Sequence, residues 1–201
     1  AVLEALRAVK VCDPACGSGA YLLGMLHELL ALRECLFVAR SLDSQTGYDR
    51  KLEIIQNNLY GVDLDPFAVN IARLRLWLSL IVDFEGVTPP PLPNLDFKIE
   101  AGDSLTAPDP SGGLQPDMFR QKQVQDFLSL KNDFMSLHAG AEQKKKLGEQ
   151  IKTLRAEIRE WAHPNTNKLA DNSFDWQVDF AEVFAPELAY STVIGKMEGI
   201  V

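Results

Sequence analysis

Asp13-Pro14-Ala15-Cys16-Gly17-Ser18-Gly19 puts a carboxylate, a thiol and two glycines into one short turn. The run before it, Val9 to Cys12, reads as a buried strand, and the pattern from Gly19 onward reads as a helix. A turn between those elements offers backbone N–H groups and the positive end of a helix dipole to a ligand. Gly17 and Gly19 allow a tight turn and a close approach of the main chain. That chemistry suits the amino-acid end or the phosphates of a nucleotide-like cofactor. Asp13 could hydrogen-bond an ammonium group there, or it could simply cap a tight strand-to-helix turn. The turn is neither the dinucleotide fingerprint GxGxxG nor a phosphate loop with its Lys-Ser/Thr. Cys16 reads as a small filler of a tight site, since no histidine lies near it in sequence to activate it.

Two further carboxylates follow the same plan. Asp63, in Gly61-Val62-Asp63-Leu64-Asp65, lies near the carboxyl end of a second expected strand, where an acid can bind the two hydroxyls of a ribose. It is farther from the glycine turn than the usual spacing, and a long helix and loop account for the excess. Either Asp63 or Asp65 could cap the following helix; Asp65-Pro66 fits that role better and leaves Asp63 for a ligand. Asp103, in Ala101-Gly102-Asp103-Ser104-Leu105, follows a third expected strand and could accept from an exocyclic amine, or serve as a turn residue. Three acids, each just past one of three successive strands, argue together for a ligand outside the strand ends.

The elements that must position these groups are strands at Val9–Cys12, 59–65 and 96–100, with helices over about 19–40, 51–57 and 67–82 between them. Strand, helix, strand, helix, strand over residues 1–106 is half of an open parallel sheet covered by helices. Residues 107–117 read as a linker, and 118–163 as a helical hairpin with one apolar stripe at Val124, Phe127, Phe134 and Leu137 and another at Leu147, Ile151, Leu154, Ile158 and Trp161. Residues 164–201 would return the chain to the sheet, with Tyr190-Ser191-Thr192-Val193-Ile194-Gly195 as a fourth strand. In Ser173–Phe184 the aromatics recur at alternating spacing, and Trp176 and Phe180 read as core rather than as base-stacking groups.

Composition sets bounds. The 201 residues suffice for one domain with a core. No apolar run spans a bilayer, and the first residues lack the layout of a secretory signal. Three cysteines without a CxxC pair argue against a disulfide framework or a zinc site and for a reducing, cytoplasmic setting. His27, His138 and His163 have no metal-ligand spacing. A net charge of −8 is a poor match for a phosphate backbone, so any grip on nucleic acid needs a local basic patch or parts outside this chain. The Lys144-Lys145-Lys146 run could touch a phosphate, but a solvated helix face is the simpler reading.

DPACGSGAYL, then NNLYGVDLDPFAVNIARLRLWLSL and GDSL, resembles the cofactor half of DNA adenine methyltransferases, specifically the type I and type IIG group of restriction-modification and phage-defence systems. FDWQVDFAEVF is similar to the stretch those proteins carry before their catalytic strand. The resemblance implies a Rossmann-like, incomplete α/β sheet of the methyltransferase type with an inserted helical hairpin, and S-adenosylmethionine as cofactor. By that match Asp13, Ala15, Gly17 and Gly19 would surround the methionine end, Asp63 would bind the ribose, Leu64 would pack on the adenine and Asp103 would meet the adenine amine. Pro14, Cys16 and Ser104 complete the implied cofactor-binding set. The implied partner is double-stranded DNA, gripped through parts outside this chain, with a specificity or restriction subunit beside it.

The family also implies an Asn-Pro-Pro-Tyr-like tetrapeptide after the fourth strand, whose Asn side chain and Pro carbonyl accept the hydrogens of a flipped-out adenine's amine. Here Val193-Ile194-Gly195 is followed by Lys196-Met197-Glu198-Gly199, and lysine offers donors only. The chain is therefore expected to be inactive alone, either as a fragment of a longer protein or as a degraded copy. The start close to the first strand, without the cofactor-contacting segment expected upstream, favours a fragment, and no target-recognition domain is expected to follow. Two rivals stand beside this reading: a non-catalytic cofactor- or partner-binding module, and a dinucleotide-dependent Rossmann-like enzyme, against which the missing GxGxxG counts.

Overall fold

The computed structural model describes residues 2–38, 46–88, 93–108, 117–136, 141–163 and 174–184. The chain divides into two compact units, residues 1–104 and 105–201.

The first unit opens with helix α1 (Val2–Ala8), a short helix that the sequence pattern did not announce upstream of the first strand. A helix end leaves carbonyls without intrahelical partners. Here buried side chains take them up. Asn58 Nδ2 donates to the carbonyls of Leu6 and Arg7, both at 3.2 Å, and to that of Val9 at 2.6 Å. Arg33 Nη2 donates to the Leu6 carbonyl at 3.2 Å and to Asn58 Oδ1 at 2.8 Å. The chain thus enters strand β1 (Val11–Asp13) from a fixed point.

Helix α2 (Ala20–Val38) follows the glycine turn, and α3 (Gly47–Asn58) leads into strand β2 (Leu59–Asp63). Helix α3 starts four residues before the apolar pattern suggested. Its start is set by a capping box: Asp49 N donates to Thr46 Oγ1 at 3.1 Å, and Thr46 N donates back to Asp49 Oδ2 at 3.2 Å. Helix α4 (Pro66–Ile81) has Asp65 as its N-cap, accepting from Phe67 N at 2.9 Å, with Pro66 in the first turn. Strand β3 (Ile99–Ala101) is shorter and lies later than the 96–100 expected, because residues 96–98 form a turn in which Lys98 N and Ile99 N donate to the Leu95 carbonyl.

The three strands form a parallel sheet in the order β1-β2-β3. Asp13 stands beside Gly61, and Asp63 beside Ala101, so all three carboxyl ends reach one edge. Leu22, Leu26, Ile54, Leu59, Leu76 and Ile99 belong to the aliphatic core of this unit. Gly61 lets α2 press onto β2: a Cβ there would sit 2.8 Å from Leu22 Cδ1 and 3.1 Å from Cys16 Sγ. The α/β, methyltransferase-like half-sheet expected from the sequence is the fold observed.

The second unit contains helices α5 (Met118–Ser136) and α6 (Ala141–Ala162). Val124, Phe127, Phe134, Ile151 and Ile158 are buried, so the two apolar stripes do face a core. The alternating aromatics of Ser173–Phe184 sit on two single-turn helices, α7 (Trp176–Asp179) and α8 (Ala181–Phe184). Asp175 initiates α7 by accepting from Gln177 N at 3.1 Å and Val178 N at 3.3 Å. Phe180 is buried and Trp176 half-buried, both packed edge-to-face on buried Phe174, so the core reading holds fully for Phe180 and in part for Trp176. The expected fourth strand and Lys196-Met197-Glu198-Gly199 lie outside the described residues.

Candidate functional site at the carboxyl edge of the sheet

Asp13 ends β1 half-buried, and its Oδ1 accepts from Ala15 N at 3.1 Å. That contact shapes the turn and leaves further acceptor capacity on the carboxylate. Pro14 and Ala15 are exposed at the tip of the turn. Cys16 turns inward, 5% exposed, and its N–H donates to the Val62 carbonyl at 2.8 Å. Burial pushes the Cys16 thiol up to about 12, with the Asp13 and Asp63 carboxylates adding to the rise. The thiol stays protonated at neutral pH, as a packing group rather than a nucleophile would.

Both glycines occupy the left-handed region, Gly17 at φ +49° and Gly19 at φ +78°, but for different reasons. A Cβ on Gly19 would lie 2.9 Å from Ala72 Cβ, so the turn rests directly on α4. A Cβ on Gly17 would meet nothing within 4 Å, so the main chain there borders open space. The turn closes on itself through Gly19 N to the Cys16 carbonyl at 2.8 Å, and α2 begins with Leu23 N to the Gly19 carbonyl at 3.0 Å.

Asp63 joins the three strand ends. Its Oδ2 accepts from Gly17 N at 2.7 Å, its Oδ1 accepts from Asp65 N at 2.9 Å, and its main-chain carbonyl accepts from Gly102 N at 2.9 Å. Asp65 caps α4, which leaves Asp63 at the strand end as the sequence suggested. The Asp63 carboxylate is nevertheless already a strut of the glycine turn, a role the spacing did not reveal. Leu64 is 72% exposed beside it. Asp103 and Ser104 are half-buried just past β3, directly after the Gly102 that bonds Asp63.

A second contact at the turn, between Ser18 and Arg75, carries no signal in the local sequence pattern. Arg75 Nη1, from α4, donates to the Ser18 carbonyl at 2.9 Å and to Ser18 Oγ at 3.0 Å. They are 57 residues apart, and only the fold brings them together. Among the described residues no group of three His, Cys, Asp or Glu could hold a metal ion. No described helix is long and apolar enough to cross a membrane.

Residues 57–196 match the Eco57I restriction-modification methylase family, which is more than half of the chain. The chain belongs to that family. Residues 1–85 also match the DNA-methyltransferase domain of MmeI. A putative type II restriction enzyme and methyltransferase of Methanocaldococcus jannaschii is 42% identical over 109 residues, covering 52% of this chain and 9% of that protein. The adenine-specific methyltransferase PglX of Streptomyces coelicolor is 37% identical over 73 residues, 35% of this chain and 5% of that protein. DNA methyltransferase A of Bacillus subtilis is 30% identical over 78 residues, 39% of this chain and 9% of that protein. The chain thus spans less than a tenth of the length of each of these relatives. No solved structure matches it.

Proposed function

We propose that this Eco57I-family chain is the cofactor-binding part of an adenine-specific DNA methyltransferase, and that it binds S-adenosylmethionine at the carboxyl edge of its sheet. The observation that carries this reading is Asp63, whose side chain and main chain tie the glycine turn and the post-β3 loop into one site. The open space beside Gly17 and the uncommitted acceptor capacity of Asp13 fit the amino-acid end of that cofactor. Asp63 would take the ribose hydroxyls, Leu64 would cover the adenine, and Asp103 with Ser104 would receive the adenine amine. Cys16 would shape the turn from beneath, and Pro14 and Ala15 would border the ligand.

When bound, the cofactor supplies an electrophilic methyl group on a sulfonium. The contribution of these residues is orientation: they fix the methyl for in-line attack by the amine of a target adenine. Adenine as the target rests on the sequence resemblance and on the adenine-specific relative. Acceptance of the amine's hydrogens needs an acceptor-bearing side chain, and Lys196 offers none at the place where the family's tetrapeptide belongs. The chain alone therefore binds the cofactor without methylating DNA, and duplex DNA is held through other parts of the enzyme, beside a specificity or restriction subunit. The reducing, cytoplasmic setting proposed from the cysteines accords with that role.

Calorimetric titration with S-adenosylmethionine and S-adenosylhomocysteine tests the reading, on the chain and on Asp63→Asn, which removes the charge and keeps one acceptor oxygen for Gly17 N or Asp65 N. Binding by the chain with a loss of about tenfold or more in the variant supports it. Absence of binding to a folded chain overturns it. Methyl incorporation into duplex DNA by this chain alone would overturn the assigned inactivity. A second reading, a non-catalytic partner-binding module, draws on Lys196 and on the net charge of −8; it gains if the folded chain binds no cofactor.

A further inference from the structure

The glycine turn is held from two sides. From β2 come the Val62 carbonyl, on Cys16 N, and Asp63 Oδ2, on Gly17 N. From α4 come Ala72, against which Gly19 rests, and Arg75, one helical turn further on, which grips Ser18. Gly17 and Gly19, on either side of Ser18, both have positive φ, so the segment has conformational freedom to lose. Ser18 is exposed, and the contacts that hold its carbonyl and hydroxyl come from one guanidinium nitrogen.

We infer that Arg75 is a positioning residue for the ligand-binding turn: by fixing the Ser18 carbonyl and hydroxyl it holds the Gly17–Gly19 main chain in its ligand-ready form. The inference rests on the cofactor reading above for its ligand, and on the turn geometry alone for the clamp. Charge-assisted hydrogen bonds are about twice as strong as neutral ones, and a preformed turn avoids an ordering cost on binding. The part of the ligand that feels Arg75 is the part nearest Ser18, the amino-acid end. The ribose and adenine are assigned to Asp63, Leu64 and Asp103, and of these Asp63 bonds the turn at Gly17 N, whereas Arg75 grips it at Ser18, so they should feel Arg75 less than the amino-acid end does.

The test uses the full chain with Arg75→Met, which keeps the apolar stem of the side chain, and Ser18→Ala, which removes the hydroxyl acceptor and keeps the carbonyl. Amide hydrogen exchange without ligand reads the clamp directly. The amides of residues 17–20 should exchange faster in Arg75→Met, while those of β2 stay unchanged. Affinity for S-adenosylmethionine should fall about tenfold in Arg75→Met and less in Ser18→Ala, while affinity for adenosine falls less than that for S-adenosylmethionine. Unchanged exchange in residues 17–20, or equal losses for adenosine and S-adenosylmethionine, would overturn the inference. A parent chain that binds no S-adenosylmethionine overturns the cofactor reading and the ligand half of the inference, while the exchange measurement still decides the clamp.

Discussion

The two units bury charge in different ways. In the first, buried Arg33 and Lys51 brace the helices through Glu53 and Asp83 and through the Leu6 and Ser79 carbonyls, while the core beside the sheet is aliphatic and the glycine turn is held by main-chain groups together with Asp63 and Arg75. In the second, a chain of ion pairs runs through the packing. Asp179, with no exposed side-chain surface, pairs with Arg155 and Arg159 of α6 and accepts from Asp175 N at 2.8 Å. Asp175 Oδ2 lies 2.8 Å from His163 Nε2. Lys131 of α5, 1% exposed, donates to the Asp179 carbonyl at 2.6 Å and pairs with Glu182 at 3.0 Å. The segment 174–184 is thus fastened to the hairpin by directed, desolvated contacts, whereas β1 to β3 are held by a ladder and an apolar layer. Hydrophobic burial tolerates small shifts; a buried charge tolerates loss of its partner poorly.

The largest expected effect breaks that contrast in the second unit. Asp179→Ala strands two arginines, and about 3 kcal/mol of stability should be lost, read by denaturant unfolding. Hydrogen exchange should localise the loss to residues 174–184 and α6; equal loss of protection in β2 would show that the contrast between the units is false.

In the first unit the turn should separate its two glycines. Gly19→Ala combines a positive φ with a 2.9 Å approach to Ala72 and should cost about 2 kcal/mol. Gly17→Ala has only the positive φ, with nothing in the way, and should cost about 1 kcal/mol. Thermal denaturation of both variants checks the order. The reverse order would mean that α4 does not support the turn.

The smallest effect concerns pH. Burial pushes the Asp175 carboxyl up from its ordinary value, with Asp179 adding to the rise while His163 and Arg159 oppose it. A carboxyl raised in the folded state contributes stability at acid pH that is lost as pH rises through its folded pKa. Asp175→Asn keeps the cap oxygen and lacks that titration. Its stability relative to the parent should therefore improve as pH rises from about 4 to 7. A difference that stays flat, or runs the other way, would show that burial does not raise the Asp175 carboxyl.

The half-sheet was legible because its signals are local. An apolar run, a glycine turn and a helix start recur, and each acid follows a strand. Helix α3 carried a readable start at Thr46-Gly47-Tyr48-Asp49 that apolar spacing alone overlooked. Helix α1 has no buried residue of its own, so no periodic stripe marked it; it is held through its carbonyls by Asn58 and Arg33. The alternating aromatics of 174–184 gave no hint of two helical turns, because Asp175 decides that conformation through a cap.

By itself the sequence determined the parallel half-sheet, the family and the three acids at one edge, since strand ends in such sheets converge whatever the details of packing. Only the tertiary structure decided that Asp63 is a strut of the glycine turn, that Arg75 reaches Ser18, and that ion pairs fasten 174–184 to the hairpin. Those contacts join residues tens of positions apart. A side chain's partner across such a distance is set by how helices and strands lie against each other, and a one-dimensional pattern of residues does not carry that information.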